Sequence, residues 1–223
     1  MTIYERALEL VPDQSAIGLG SGRAAWAFVE MLGEKIRQGS LRVQGVPTSD
    51  ETARIAAKQG VPLIGLKDVR ELVLTVDGAD EVDPSLDLIK GFGRALVREK
   101  IVAASSRKLV ILVGEEKLMP QLGTRGRLPI EVVPFALPLC MRRLGELGLR
   151  PTLWELKGQP GLSDNGNYIL DCGIDPIADA KKLEREIRSI PGVVDSGLFL
   201  GMAQIVLVGD RTDFKMIEER TRV

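Results

Sequence analysis

Apolar positions along the chain change spacing at regular intervals, and the changes draw the fold. Residues 3–10 carry apolar side chains at helical spacing until Pro12-Asp13 breaks the run. Residues 16–19 form a short apolar stretch expected as a strand, followed by Gly20-Ser21-Gly22. Ala25, Phe28, Val29, Leu32 and Ile36 then recur with a helical period up to Gly39. Residues 41–46 predict a second strand. Asp50 caps a helix that runs to Gln59 and stops at Gly60. Further strands are expected at 61–64, 73–76 and 109–113. Val73-Leu74-Thr75-Val76 has no charge on either face, as a parallel strand buried on both sides requires. A helix is expected from Arg94.

After Lys117 the texture changes. Residues 121–127 read as a loop, and Pro129-Ile130-Glu131-Val132-Val133-Pro134 as a strand bracketed by prolines. A helix at 136–147, a strand at 152–156 and a hairpin turn at Ser163-Asp164-Asn165-Gly166 follow, with the return strand at 168–171. Residues 177–190 have helical spacing and 193–200 extend again. Residues 206–208 and a helix from Asp213 are expected to rejoin the first sheet. Strands alternating with helices predict an α/β fold with a doubly wound, mostly parallel, Rossmann-like sheet over residues 1–127 plus 197–223. Residues 128–196 are expected as a second, smaller α+β domain of ferredoxin-like type, packing beside the cleft and supplying a subunit interface.

Composition narrows the function. At 223 residues the chain can bury a full core. Thirty Lys and Arg against 31 Asp and Glu leave no global field to attract nucleic acid or an anionic membrane. Residues 1–11 mix charged and apolar side chains, unlike a signal peptide, and no uncharged run is long enough to span a bilayer. Cys140 and Cys172 are read as buried thiols of a cytoplasmic protein, with no metal knuckle. There is no histidine, so acid–base chemistry must run on carboxylates, Lys, Tyr or Cys.

The chemistry concentrates in two places. Asp77 ends the 73–76 strand, with Gly78 beside it and Asp80, Glu81, Asp83 and Asp87 close behind. Ligands of open α/β sheets sit outside the carboxyl ends of strands. A glycine turn, Lys90-Gly91-Phe92-Gly93, then leads into the helix that carries Glu99. The second place is the strand–turn–helix at Gly20-Ser21-Gly22, a phosphate-binding geometry because free helix amides face the turn. Gly20, Gly22 and Ala25 also fit a loose dinucleotide fingerprint. However, the second strand is followed by Pro47-Thr48-Ser49, with no acid for a ribose hydroxyl.

Taken together these motifs resemble the ribose-5-phosphate isomerase type A family. The resemblance runs through Gly18-Leu19-Gly20-Ser21-Gly22, Pro47-Thr48-Ser49, Asp77-Gly78-Ala79-Asp80-Glu81 and Ile89-Lys90-Gly91-Phe92-Gly93. It continues through Arg98-Glu99-Lys100, Pro129-Ile130-Glu131, Asp164-Asn165-Gly166-Asn167, Pro191-Gly192-Val193-Val194 and Gly197-Leu198-Phe199. It implies interconversion of ribose 5-phosphate and ribulose 5-phosphate through a cis-enediolate, with no metal and no cofactor. Glu99 then shuttles the proton between C2 and C1. Asp77, with Asp80 beside it, assists ring opening, and Lys90 stabilises the oxyanion. The substrate-binding residues implied are Ser21, Gly22, Arg23, Ala24, Thr48, Ser49, Gly78, Ala79, Gly91, Phe92, Gly93 and Lys117. The partner expected is a small phosphosugar, with no nucleic acid and no membrane, and the assembly a homodimer or homotetramer.

Two departures stand out. The family loop G-T-G-S-T is here Gly20-Ser21-Gly22-Arg23-Ala24, and the third residue of K-G-G-G is Phe92. Arg23 either holds phosphate bidentately at the helix start or points outward. Phe92 either narrows the pocket or bends the turn. The competing readings are a non-catalytic sugar-phosphate-binding paralogue and an isomerase for a different phosphosugar. A metal phosphatase is disfavoured because Asp77 and Asp80 lack D-x-D spacing, and no motif for a coenzyme A transferase is found.

Overall fold

The computed structural model of the chain describes residues 1–210 and 212–219. Its elements run α1 (Ile3–Glu9), β1 (Ser15–Leu19), α2 (Arg23–Arg37), β2 (Val43–Pro47), α3 (Asp50–Lys58), β3 (Leu74–Gly78), β4 (Glu81–Val82) and β5 (Leu88–Ile89). They continue through α4 (Leu96–Ala104), β6 (Leu109–Val113), β7 (Arg127–Val132), α5 (Leu137–Glu146), β8 (Arg150–Leu153), β9 (Glu155–Leu156) and β10 (Gln159–Pro160). The last are β11 (Tyr168–Gly173), α6 (Ala180–Arg188), β12 (Val193–Ser196), β13 (Leu198–Phe199), β14 (Ile205–Gly209) and β15 (Phe214–Glu219). The chain divides into two compact units. One takes residues 1–79, 98–117 and the described residues from 202, the other 80–97 and 118–201.

The first unit is built on a six-stranded sheet in the order β2-β1-β3-β6-β14-β15. Its first five strands are parallel, and β15 is antiparallel to β14. Ile17, Leu19, Leu74 and Val76 point to one face, where Ile3 and Ala7 of α1 and Phe28, Val29 and Leu32 of α2 bury them. Each such large side chain contributes about 1.5–3 kcal/mol. Gly18 and Thr75 point to the opposite face, against Val102 of α4. A Cβ on Gly18 would lie 2.0 Å from Thr75 Oγ1 and 2.6 Å from Val102 Cγ1, so glycine is what lets α4 lie this close. Helices therefore cover both faces, the doubly wound arrangement expected. The strand order reverses between β1 and β3, which puts a topological switch point at their carboxyl ends.

The second unit contains a β7-α5-β8-β11-α6-β12 run whose antiparallel sheet has the order β12-β7-β11-β8, a ferredoxin-like pattern. Leu128, Ile130, Val132, Leu170 and Cys172 form its core with Cys140 and Leu144 of α5 and Ile187 of α6. A three-stranded sheet, β13-β5-β4, holds the start of the acidic segment.

Four expectations change. Residues 61–64 form no strand: Leu63 makes one bridge to Gly45, and Pro62 has no N–H with which to extend it. The helix expected from Asp213 is strand β15. Asp210 Oδ1 accepts from Thr212 N, Asp213 N and Thr212 Oγ1, turning the chain back along β14. Ser49, not Asp50, caps α3 by accepting from Thr52 N. Residues 128–196 all fall in the second unit, but that unit also takes 80–97, 118–127 and 197–201. No described helix is long and apolar enough to cross a membrane.

Candidate active site

In the first unit the site grows from the carboxyl ends of β1 and β3. Asp77 is 1% exposed, and its Oδ1 accepts the N–H groups of Ser21 (3.1 Å) and Gly78 (2.8 Å). A Cβ on Gly20 would lie 2.2 Å from that oxygen, so only glycine lets the β1–α2 turn press against Asp77. Beneath the turn lies a cluster of hydroxyls. Ser21 Oγ is 2.8 Å from Thr48 Oγ1, 2.7 Å from Ser49 Oγ and 3.1 Å from Thr52 Oγ1. Thr52 donates to Gly20 O, Thr48 donates to Leu19 O, and Trp26 Nε1 donates to Thr52. Thr48 and Ser49 are buried, so their hydroxyls serve the turn.

Gly22, with φ +100, is the N-cap of α2 and brings no side-chain cap. Arg23 is exposed in the first turn and Ala24 half-buried beside Gly78. Glu99 stands in the first turn of α4 and is 4% exposed. Arg98 Nη1 of that helix donates to Asp50 Oδ1 at 2.7 Å, and just past the helix Ser106 Oγ lies 2.6 Å from Thr75 Oγ1. Lys117 is half-buried in a short turn after β6, its N–H donating to Gly114 O.

In the second unit the acids divide by role. Glu81 is fully buried and accepts from Gly123 N and Arg125 N, which ties down the 121–126 loop. Asp83 accepts from Ser85 N and Asp87 N, which closes a turn, and Asp87 accepts from Gly201 N, which ties down the segment after β13. Asp80 is half-buried, and its Oδ2 accepts from Phe92 N at 2.9 Å. Lys90 follows β5, donates its N–H to Gly197 O, and is 2% exposed. Its ammonium lies 5.5 Å from the centre of the Phe199 ring, a cation–π contact in a buried setting.

Within the first unit the structure thus brings together Asp77, Gly78, Ser21, Thr48, Ser49 and Ala24. Within the second it places Lys90, Gly91, Phe92 and Gly93 on the turn after β5 and joins Asp80 to that turn through Phe92 N. Sequence reasoning missed Phe199, Thr52 and Trp26. The spacing of Gly197-Leu198-Phe199 carried no sign of the lysine its ring faces.

A family model for ribose 5-phosphate isomerase A (phosphoriboisomerase A) matches residues 44–213. The ribose-5-phosphate isomerase A of Gloeobacter violaceus is 49% identical over 97% of this chain and 94% of its own length. A ribose 5-phosphate isomerase A structure from Methanocaldococcus jannaschii superposes with a TM-score of 0.91 at 38% identity, covering 98% of this chain and 97% of that one. A D-ribose-5-phosphate isomerase in complex with phospho-erythronic acid superposes at 0.93 with 37% identity, covering 98% and 96%. With a buried carboxylate, Asp77, at the switch point and relatives matched along nearly their whole length, the chain belongs to the ribose 5-phosphate isomerase A family.

Proposed function

We infer that the chain is an aldose–ketose isomerase that interconverts ribose 5-phosphate and ribulose 5-phosphate. The observation that carries the chemistry is that Asp77, Lys90 and Glu99 are each nearly fully buried in a chain without histidine. Burying ionisable groups costs several kcal/mol per ion, about what a fold sustains when the groups are used. Family membership supplies the substrate.

Glu99 is the base. Its carboxylate takes the proton from C2 of the open-chain aldose, and the electron pair moves to make the enediolate, with charge on O1. The Lys90 ammonium stabilises that oxyanion. The proton returns from Glu99 to C1 while the O2 hydroxyl proton passes to O1, which leaves a carbonyl at C2 and a hydroxymethyl group at C1, the ketose. Asp77, oriented by two amides, moves the proton between the anomeric hydroxyl and the ring oxygen, with Asp80 assisting. The amides at Gly22 and Arg23 and the cations of Arg23 and Lys117 receive the phosphate end, and Gly78, Ala79, Gly91 and Gly93 let backbone approach the sugar. Phe92 narrows the approach. Thr48 and Ser49 act on the substrate through Ser21.

Exposed Val133, Phe135 and Val194 cluster where β7 ends and β12 begins, with Phe135 96% exposed. A second copy of the chain covers this patch. Light scattering of Phe135→Ser is expected to show smaller particles than the parent. An unchanged mass would place the interface elsewhere. Both cysteines are buried free thiols, with burial pushing Cys172 up to about 12, which fits a reducing cytoplasm.

The test is turnover of ribose 5-phosphate by chelator-treated protein. Activity is expected to survive chelation and to fall about 10³-fold or more in Glu99→Gln. Absence of turnover with retained binding would make the chain a phosphosugar sensor instead.

A further inference from the structure

The segment carrying Lys90 is fastened by groups that the reaction does not consume. Residues 91–94 form a turn closed by Arg94 N donating to Gly91 O at 2.9 Å. Gly91 has φ +103 and Arg94 φ +72. The left-handed region suits glycine and is unfavourable for arginine. A glycine at 94 would hold this backbone more cheaply, so what arginine adds is its guanidinium.

That guanidinium is well placed. Its Nη1 donates to Asp171 Oδ1 at 2.6 Å, and it stacks 4.9 Å from the centre of the Trp154 ring. The same Asp171 oxygen accepts Arg127 Nε at 2.8 Å. Arg127 in turn lies 4.4 Å from the centre of the Phe92 ring, and Phe92 N donates to Asp80 Oδ2. The contacts are continuous: Trp154, Arg94, Asp171, Arg127, Phe92, Asp80. They lie on the face of the ferredoxin-like sheet away from its helices, since Asp171 pairs with Pro129 while Leu128, Ile130 and Leu170 point into the helix-covered core. Asp171 and Arg94 are both largely buried, so solvent screens them little.

Resting on the isomerase assignment, we propose that Arg94 is a positioning residue. Through Asp171 and Arg127 it fixes the Phe92 turn, and with it the orientation of Asp80 and the bearing of Lys90. Phe92, where the family pattern has glycine, is the ring through which the ion cluster grips the turn. A misplaced Lys90 still meets substrate but stabilises the oxyanion less, so the effect falls on kcat and spares KM.

Arg94→Gly removes the guanidinium while suiting the backbone, so the fold is kept. Arg94→Lys retains the charge. In Arg94→Gly, kcat is expected to fall roughly tenfold to a hundredfold with KM within about threefold and the thermal midpoint within about 4 °C. Arg94→Lys should recover part of kcat. Tryptophan emission, to which only Trp26 and Trp154 contribute, should shift in Arg94→Gly as the stack on Trp154 is lost. An active parent with unchanged kcat in Arg94→Gly would overturn the positioning role, as would a rise in KM alone. A parent without turnover, its emission still shifting in Arg94→Gly, would instead mean that the isomerase assignment had failed, and the positioning role with it.

Discussion

Asp77 is held by backbone amides of a turn that hydroxyls brace from below, whereas Lys90 begins a turn that Asp80 accepts from and that guanidinium groups and aromatic rings fasten. The first arrangement depends on close backbone approach. Gly20 makes room, Ser21 and Gly78 donate, and Thr48, Ser49 and Thr52 fix the turn from below. The second depends on charge. One carboxylate, Asp171, draws together Arg94 and Arg127, and each arginine lies over a ring. Amide-held groups answer to steric change, and ion-held groups answer to titration.

The largest expected effect comes from crowding the first arrangement. Gly20→Ala places a methyl 2.2 Å from Asp77 Oδ1 and 2.6 Å from its Cα, so both the carboxylate and the turn must move. Steady-state kinetics should show kcat down about 10²-fold or more. A fully active Gly20→Ala enzyme would mean that the two amides do not set the orientation of Asp77.

A smaller effect separates the second arrangement from the first by pH. Burial alone raises the Asp171 carboxyl, but hydrogen bonds from Arg94 and Arg127 more than offset it, so it ionises below the usual 3.8. A depressed carboxyl stabilises the fold above its unfolded value, and that stability is lost as pH falls towards the folded one. Thermal midpoints measured between pH 6 and pH 3 should therefore drop more for the parent than for Asp171→Asn, which lacks this titration. Parallel curves would show that the cluster adds nothing to the acid limb.

The parallel half of the fold was legible because its strands are apolar on both faces. β3 and β6 need no partner pattern to be read, and Gly20-Ser21-Gly22 marks the turn between β1 and α2. β15 was misread as a helix because its mixed polar and apolar residues carry no period as firm as the turn at Asp210, Thr212 and Asp213 that precedes it. Asp77 could be singled out because a strand end and a glycine turn advertise it, whereas Lys90 and Glu99 stood out through the family resemblance. The groups holding them could not. Phe199, Asp171 and Arg127 lie far along the chain, and only the sheet registers bring them to the lysine turn. Glu81, one acid among several in the sequence, proves to be a loop anchor because two amides reach it from residues 123 and 125.

Proton transfer by Glu99 is tested most directly by running the isomerisation in deuterium oxide and locating the label by NMR. Deuterium is expected at C1 of ribulose 5-phosphate and at C2 of recovered ribose 5-phosphate with the parent, and at neither with Glu99→Gln. Isomerisation by Glu99→Gln at the parent's rate would contradict proton transfer by Glu99. Label entering equally with Glu99→Gln would assign the proton to another base.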